Sequence, residues 1–164
     1  MSEAPTPPES SAPQAAGTPV DPVLAAGVVL WADSPQEPRF LLLRNKCHGS
    51  WGLPKGHAEP DEELPVTACR EVKEETGYQL HADDLRDDFA DTHLYQPKPG
   101  IWKRVIQFLA AAPVEPDDFV RSDEHDEHAW LSPNDAVACV QHDALRRTLR
   151  LATARLARAA EAEE

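Results

Sequence analysis

Three glutamates within five residues are the side chains best placed to do chemistry in this chain. Glu71, Glu74 and Glu75 stand at i, i+3 and i+4, so a helix of about 3.6 residues per turn carries them on one face. Carboxylates crowded in this way repel one another, and a bound divalent cation relieves that repulsion. Hard oxygen ligands suit Mg²⁺, and Mn²⁺ can substitute for it. The spacing therefore predicts a helix that binds a divalent metal.

The surrounding residues predict that this helix spans about 62–75. Asp61 is expected to be the N-cap, and Gly77 is the residue type that commonly ends a helix in the left-handed conformation. A thin apolar stripe at i, i+4 and i+8 is expected to face the core: Leu64, Ala68 and Val72. Arg70 follows Glu62 after about two helical turns, so an ion pair between them could hold the acidic face in place.

The other elements are expected to supply a sheet against which the helix packs. Apolar runs predict strands over 24–31, 40–44, 89–95, 102–112 and 129–131, with a turn at 96–100 and a long acidic loop over 113–127. Ser132 is expected to cap a short helix that ends near 140, and Asp143 begins a last helix with an apolar stripe. Strands on both sides of a central helix, followed by a terminal helix, indicate an α/β fold with a mixed sheet covered on both faces.

The order of residues around the glutamates resembles the Nudix box. That box reads Gly, five residues, Glu, seven residues, Arg-Glu, an aliphatic, any residue, Glu-Glu, any residue, Gly and a bulky apolar residue. The fixed positions are filled by Gly56, Glu62, Arg70, Glu71, Val72, Glu74, Glu75 and Gly77. Only Tyr78 departs from the pattern, where an aliphatic residue is usual. A solvated acidic helix, the other interpretation of such a charge run, would explain neither the glycines nor Arg70.

The resemblance implies a Nudix-type α/β/α sandwich that hydrolyses a nucleoside diphosphate linked to another group. It implies these metal ligands: Gly56 through its carbonyl, Glu71, Glu74, Glu75 and Glu124. The implied catalytic residues are Glu71, Glu74 and Arg70, and the general base stays open between the two glutamates. Glu124 belongs to the acidic loop, from which many Nudix enzymes bring a glutamate to the metal. One more solvated acid is the alternative interpretation of Glu124.

Residues outside the box resemble the asymmetrical diadenosine tetraphosphate hydrolases within this family. The segment 51–57, WGLPKGH, matches the Trp-x-x-Pro-Lys-Gly-His that precedes their box, and 124–131 looks like the corresponding later segment. Carried over by position, the implied substrate-binding residues are His48, Lys55 and Lys103 for phosphates, and Tyr95 and His128 for adenine. His128 stands where that subgroup often has tyrosine. The resemblance thus implies cleavage of dinucleoside polyphosphates, such as diadenosine tetraphosphate, to ATP and AMP.

Other substrates and another class of protein are the alternatives. Nudix pyrophosphatases also act on (d)NTPs, on diphosphoinositol polyphosphates and on RNA 5′ ends. The loops offer few Lys and Arg for an inositol polyphosphate, and a net charge of −13 opposes a long polyanion. A nucleotide-binding module with a decayed box is a different class, but every box carboxylate is present.

Length and composition predict the setting of the site. The 164 residues suit one domain over 23–160 behind a Pro- and Ala-rich disordered tail over 1–22. The expected partner is a small nucleotide, with no long nucleic acid and no membrane, and we expect a monomer or a weak dimer. Three scattered cysteines and the lack of a secretory signal predict reduced thiols and a cytoplasmic protein.

Overall fold

A computed structural model describes residues 17–113 and 119–163 of the chain. Among these residues the strands are β1 Val23–Ala32, β2 Arg39–Asn45, β3 Trp51–Gly52, β4 Lys55–His57, β5 Asp91–Lys98, β6 Ile101–Ala111 and β7 His125–Leu131. The α-helices are α1 Leu64–Thr76, α2 Pro133–Cys139 and α3 Asp143–Ala162.

The strands form one mixed sheet. β1 and β6 are parallel from Val23↔Lys103 to Trp31↔Ala111, and the other neighbouring strands are antiparallel. β1 pairs with β2 only at Trp31↔Phe40 and Ala32↔Arg39, whereas β4 pairs with β1 at Ala25, Ala26 and Gly27. β1 and β2 therefore diverge, and β4 enters the opening between them, beside the helix that carries the glutamates.

Helices cover both faces of the sheet, as the sequence predicts. On one face α1 packs through Ala68 and Val72 against alternate residues of β1 and β2, and on the other face α3 packs through Leu149 and Ala152. All four of these helix residues are fully buried. The α/β/α sandwich with a mixed sheet is thus confirmed, and the sheet places the end of β4 against α1.

The start of α1 differs from the prediction. The helix begins at Leu64 with Glu63 as N-cap, and Pro65 lies in its first turn, where proline costs no backbone hydrogen bond. The predicted N-cap Asp61 is wrong: it has a φ of 61° and lies in the turn before the helix. The predicted end is confirmed, because Gly77 has a φ of 80° and donates its N–H to the Lys73 carbonyl.

Two strands extend further than their apolar runs suggested. β5 continues through Pro97 to Lys98, which reduces the predicted turn at 96–100 to its last residues. β5 lies at the edge of the sheet, where a proline without an N–H is tolerated. β7 begins at His125 and not near 129, and its charged first half pairs with β2. An ion pair between Arg44 and Asp126, at 2.8 Å, ties that charged half to the sheet.

The ends of the chain bear on the predicted boundaries. Residues 1–16 of the predicted tail and 114–118 of the acidic loop lie outside the described residues. Gly17 accepts a hydrogen bond from the Trp102 N–H at 2.7 Å, so the folded part begins before the predicted boundary at 22. The three cysteines form no disulfide. None of the described helices is long and apolar enough to cross a membrane.

Candidate active site

The three glutamates of α1 differ strongly in their exposure. Glu75 is 6% exposed, whereas the side chain of Glu71 is 12% exposed and that of Glu74 is 56% exposed. The acidic face of the helix thus runs from a buried end to a solvent-exposed side. Only Glu74 has free access to bulk water.

Arg70 holds this acidic face to the rest of the site. Its Nε and Nη2 donate to the two carboxylate oxygens of Glu62, each at 2.9 Å, and its Nη1 donates to Glu71 at 2.9 Å. Nη1 also lies 3.2 Å from Glu74, and Nη2 donates to the His57 carbonyl at 2.9 Å. The predicted pairing with Glu62 is confirmed. Every guanidinium nitrogen of Arg70 is in use, so its position favours orienting the carboxylates over contacting a substrate.

The carboxylate of Glu62 is strongly stabilised in its charged form. Arg70 is the main cause, and hydrogen bonds from the Thr67 hydroxyl and the Glu59 N–H act in the same direction, so the pKa of Glu62 falls to about 2. The hydrogen bonds to Glu62, and then those to Glu74 and Glu71, raise the pKa of Arg70 above its usual range. This pair is therefore charged near pH 7.

Gly56 is required by the close approach of β4 to α1. A Cβ at this position would lie 2.1–2.3 Å from the Glu71 carboxyl group, so any side chain would displace that carboxylate. The next residue along β4, Lys55, donates its backbone N–H to Glu75 Oε2 at 3.0 Å. β4 therefore presses two successive backbone units against the two buried carboxylates of α1.

The buried carboxylates destabilise each other's charge. Burial is the main cause that raises the pKa of Glu75 to about 8, and the neighbouring Glu71 and Glu124 raise it further. Burial also raises the pKa of Glu71, although Arg70 opposes that effect. Each group thus feels the charge of the others, which is the electrostatic situation that a bound cation would relieve.

Glu124 is brought towards these carboxylates by the segment that follows the acidic loop. The backbone N–H groups of Val120 and Ser122 donate to the Thr76 and Glu75 carbonyls, at 2.9 and 3.3 Å, at the end of α1. On the other side, the Glu124 carbonyl accepts a hydrogen bond from the Lys46 N–H at 3.1 Å. These anchors place the exposed Glu124 side chain where its charge acts on Glu71 and Glu75.

The donor set fits a divalent cation, though not as a closed cage. Within 17–113 and 119–163, no three His, Cys, Asp or Glu side chains converge as a compact ligand cluster. The candidate donors are nevertheless all oxygens, two of them buried and mutually repelling, and Gly56 leaves room for its own carbonyl beside them. Such a site suits a hard ion that keeps part of its coordination for water and phosphate.

Two lysines lie near the carboxylates. Lys55 is in β4 and Lys103 is in β6, and both pair with β1, at Gly27 and Val23 respectively. Burial lowers the pKa of Lys103 to about 8, the charge of Lys55 lowers it further, and Glu71 opposes this shift. The predicted phosphate-binding pair is therefore brought together, within electrostatic reach of the acidic helix.

The two aromatic residues predicted for adenine are not brought together. Tyr95 pairs with Lys103 and faces the α3 side of the sheet, with its ring centre 5.8 Å from that of His93. His128 pairs with Leu43 on the α1 side and stacks on Phe119 at 3.9 Å. Alternation of side chains along a strand excludes a clamp formed by these two rings in this arrangement.

The remaining polar residues near the site are the predicted His48 and three residues that were not predicted. His48 is exposed in the loop after β2, and its Nδ1 lies 3.0 Å from the Ser50 hydroxyl. Sequence reasoning assigned no role to His57, His93 or Gln107, which share a sheet face with the two lysines. Alternation of side chains along β6 from Lys103 would have identified Gln107, but His57 and His93 could be found only once the register of β4, β5 and β6 in the sheet was known.

Comparisons with known proteins agree with this geometry. A family model described as NUDIX domain matches residues 21–154. The asymmetrical bis(5′-nucleosyl)-tetraphosphatase of Caenorhabditis elegans is 33% identical over 136 residues, which is 82% of this chain and 97% of that protein. A crystal structure of the C. elegans Ap4A hydrolase binary complex superposes with a TM-score of 0.75 at 32% identity, covering 82% of this chain and 98% of the other.

A relative with a different activity shows the same percentage identity over an alignment of similar length. The 8-oxo-(d)GTP phosphatase of Mycolicibacterium smegmatis is 33% identical over 137 residues, which is 78% of this chain but 40% of that protein. The similarity therefore extends across more than one substrate class.

Proposed function

This chain belongs to the Nudix family of hydrolases that act on phosphate anhydrides, and from that premise we propose that it hydrolyses dinucleoside polyphosphates, such as diadenosine tetraphosphate, to ATP and AMP. The observation that carries the proposal is that Lys55 and Lys103 lie on one face of the sheet, within electrostatic reach of the buried carboxylates: Lys55 acts on Glu75, and Glu71 acts on Lys103. One side of the site suits phosphate oxygens and the other suits a cation.

Nudix hydrolases generally use divalent metal ions, and Mg²⁺ is the ion we propose for this site. We propose that it is held by the Gly56 carbonyl, Glu71, Glu74, Glu75 and Glu124. When bound, a divalent ion offsets the charge of phosphate oxygens and lowers the pKa of water.

The remaining work falls to side chains of this chain. Lys55 and Lys103 are proposed to hold the polyphosphate, and the backbone of β4 orients Glu71 and Glu75. A carboxylate of Glu71 or Glu74 accepts a proton from the attacking water, a role worth roughly 10²–10⁴-fold in rate. Water adds to the fourth phosphorus counted from one adenosine. The bond between that phosphorus and the oxygen that bridges it to the third phosphorus breaks, so that ATP leaves and AMP carries the attacked phosphorus. Arg70 acts as a positioning residue in this scheme.

The direct test is hydrolysis of diadenosine tetraphosphate with Mg²⁺, followed by chromatography of the products. We expect equal amounts of ATP and AMP. Formation of ADP alone, or no turnover, would contradict the proposal. Glu75→Gln is expected to lower kcat at least about a hundredfold, because it replaces a carboxylate proposed to bind the metal with a neutral amide. The matched control is Glu63→Gln, since Glu63 is an exposed residue outside the site.

A nucleoside triphosphatase is the second candidate, and the similarity to the M. smegmatis 8-oxo-(d)GTP phosphatase favours it. In that case a panel of (d)NTPs would give nucleoside monophosphate and pyrophosphate with a higher kcat/KM than diadenosine tetraphosphate. Both activities need the same carboxylates, so the substrate panel separates them and the glutamate variants do not.

A further inference from the structure

Gln107 is a buried polar residue for which the fold gives no reason. It lies in the middle of β6 with no exposed surface, and neither its Oε1 nor its Nε2 has a hydrogen-bond partner. Burying an amide without partners costs folding free energy, whereas a leucine of similar size would bury favourably. An unsatisfied buried group in a folded protein therefore calls for a functional explanation.

The register of the sheet places this amide beside the lysine pair. Gln107 pairs with Gly27 of β1, and Gly27 pairs in turn with Lys55 of β4. A Cβ on Gly27 would lie 2.6 Å from Gln107 Oε1 and 2.6 Å from Lys55 Cβ. Because Gly27 has no side chain, the Gln107 amide and the Lys55 side chain meet across it.

His93 approaches the same place from β5. It pairs with Val105, which makes it a diagonal neighbour of Gln107 on the same sheet face. Its Nδ1 is also buried and has no hydrogen-bond partner. Burial is the main cause that lowers the pKa of His93, and the opposing charge of Asp91 is smaller, so this environment favours the neutral imidazole.

Small residues form the floor between these groups. Ala25 and Val105 have no exposed surface, and they lie between His93 on one side and His57 of β4 on the other. Lys103 stands at one end of this floor and Gln107 at the other, two strand repeats apart. The side chains that flank this floor in the sheet belong to His57 of β4, His93 of β5, and Lys103 and Gln107 of β6.

We propose that Gln107 and His93 are specificity-determining residues that bind the nucleobase of the nucleotide whose phosphates lie at Lys55 and Lys103. A phosphate would be drawn to the ammonium groups, whereas a neutral amide and a neutral imidazole match an uncharged polar edge. The Gln107 amide presents a donor and an acceptor side by side, as the edge of an adenine requires. The inference rests on the proposed function only in assuming a nucleotide substrate; it does not depend on which anhydride bond is cleaved.

Binding of nucleoside monophosphates tests this inference without hydrolysis. We would measure the Kd of AMP, GMP and inorganic tripolyphosphate by calorimetry for the full chain, for Gln107→Leu and for His93→Phe. The wild-type protein is expected to bind AMP more tightly than GMP, and each variant is expected to reduce that preference at least about tenfold. Tripolyphosphate, which has no base, should bind all three proteins equally. Gln141→Leu is the matched control, because Gln141 is exposed in the loop after α2.

Thermal unfolding separates recognition from a structural role. Since both polar atoms of the Gln107 amide are without partners, Gln107→Leu is expected to keep or raise the Tm. A lower Tm with an unchanged AMP-to-GMP preference would overturn the inference, and so would a wild-type protein without base preference or an equal loss of tripolyphosphate binding. If Gln107→Leu fails to fold, His93→Phe decides by the same preference. If the variants lose the base preference but the wild-type protein does not cleave diadenosine tetraphosphate, the proposed substrate is refuted and this inference still stands.

Discussion

The ion pair between Glu62 and Arg70 can be tested by replacing one carboxylate. Glu62→Gln keeps the size of the side chain and removes its charge. In the native protein Glu62 accepts two hydrogen bonds from Arg70, each at 2.9 Å, and one from the Thr67 hydroxyl at 2.7 Å. The Glu62 side chain is 11% exposed, so little solvent screens the pair.

The size of the effect follows from the pKa of Glu62. Folding lowers it from 4.5 to about 2, chiefly through Arg70. At about 1.36 kcal/mol for each tenfold change in proton affinity, the difference corresponds to about 3 kcal/mol. The glutamine keeps some of the neutral hydrogen bonding, so we expect Glu62→Gln to lower the free energy of unfolding by about 2–3 kcal/mol at pH 7. For a chain of this size that corresponds to a decrease in Tm of roughly 5–10 °C.

The effect has a defined pH dependence. Because folding depresses the pKa of Glu62, its stabilisation is fully present above the unfolded pKa of 4.5 and is lost as pH falls towards about 2. The difference between the native protein and Glu62→Gln should therefore be constant from about pH 6 to 8. Below about pH 4.5 it should shrink by about 1.4 kcal/mol for each pH unit.

Urea unfolding followed by circular dichroism, at several pH values between 3.5 and 8, measures these differences. Glu63→Gln is the matched control, because the neighbouring Glu63 is exposed and makes no side-chain cap. A Glu62→Gln protein as stable as this control at pH 7 would refute the reasoning. A difference of the same size at pH 3.5 and pH 7 would also refute it, since it would show that the charge of Glu62 is not the cause.

Two further predictions concern the backbone and the phosphate side of the site. Gly56→Ala should push the Glu71 carboxylate aside and weaken Mn²⁺ binding, measured by titration, at least about tenfold with little change in Tm. Gly52→Ala, whose Cβ would meet nothing within 4 Å, is the control, and equal Mn²⁺ affinity in the two variants would contradict the prediction. Lys55→Ala should raise KM for the polyphosphate while leaving the Tm nearly unchanged. Lys73→Ala, on the exposed side of α1, is the control and should change neither KM nor Tm. A large loss of Tm with unchanged kinetics would show instead that Lys55 is structural.

Features that depend on neighbours in the chain could be predicted from the sequence. The common face of Glu71, Glu74 and Glu75 follows from the helical repeat. The pairing of Arg70 with Glu62 was predicted from their separation in the chain and is observed, although Glu62 precedes the first residue of α1. Gly77 ends the helix because few other residues adopt its φ of 80° at low cost. The family and the class of reaction were implied by the resemblance that these residues carry, and the fold class followed from the order of the predicted strands and helices.

Features that depend on which strands pair, and in which register, were decided by the tertiary structure. Tyr95 and His128 have the right residue types for a base clamp, but strand pairing puts them on opposite faces of the sheet. A shift of one residue in either register would have reversed that outcome, which is why the sequence could not determine it.

The charge states of the site were likewise beyond the sequence. Glu75 and Glu74 are adjacent glutamates, yet Glu75 is 6% exposed and Glu74 has a side chain that is 56% exposed. Burial sets the pKa of Glu75, and burial exists only once β4 has packed against α1. The sequence by itself determined which carboxylates share a helix face; the tertiary structure decided which of them leave water and which lysines and polar groups they meet, because desolvation and charge proximity arise only from packing between distant segments.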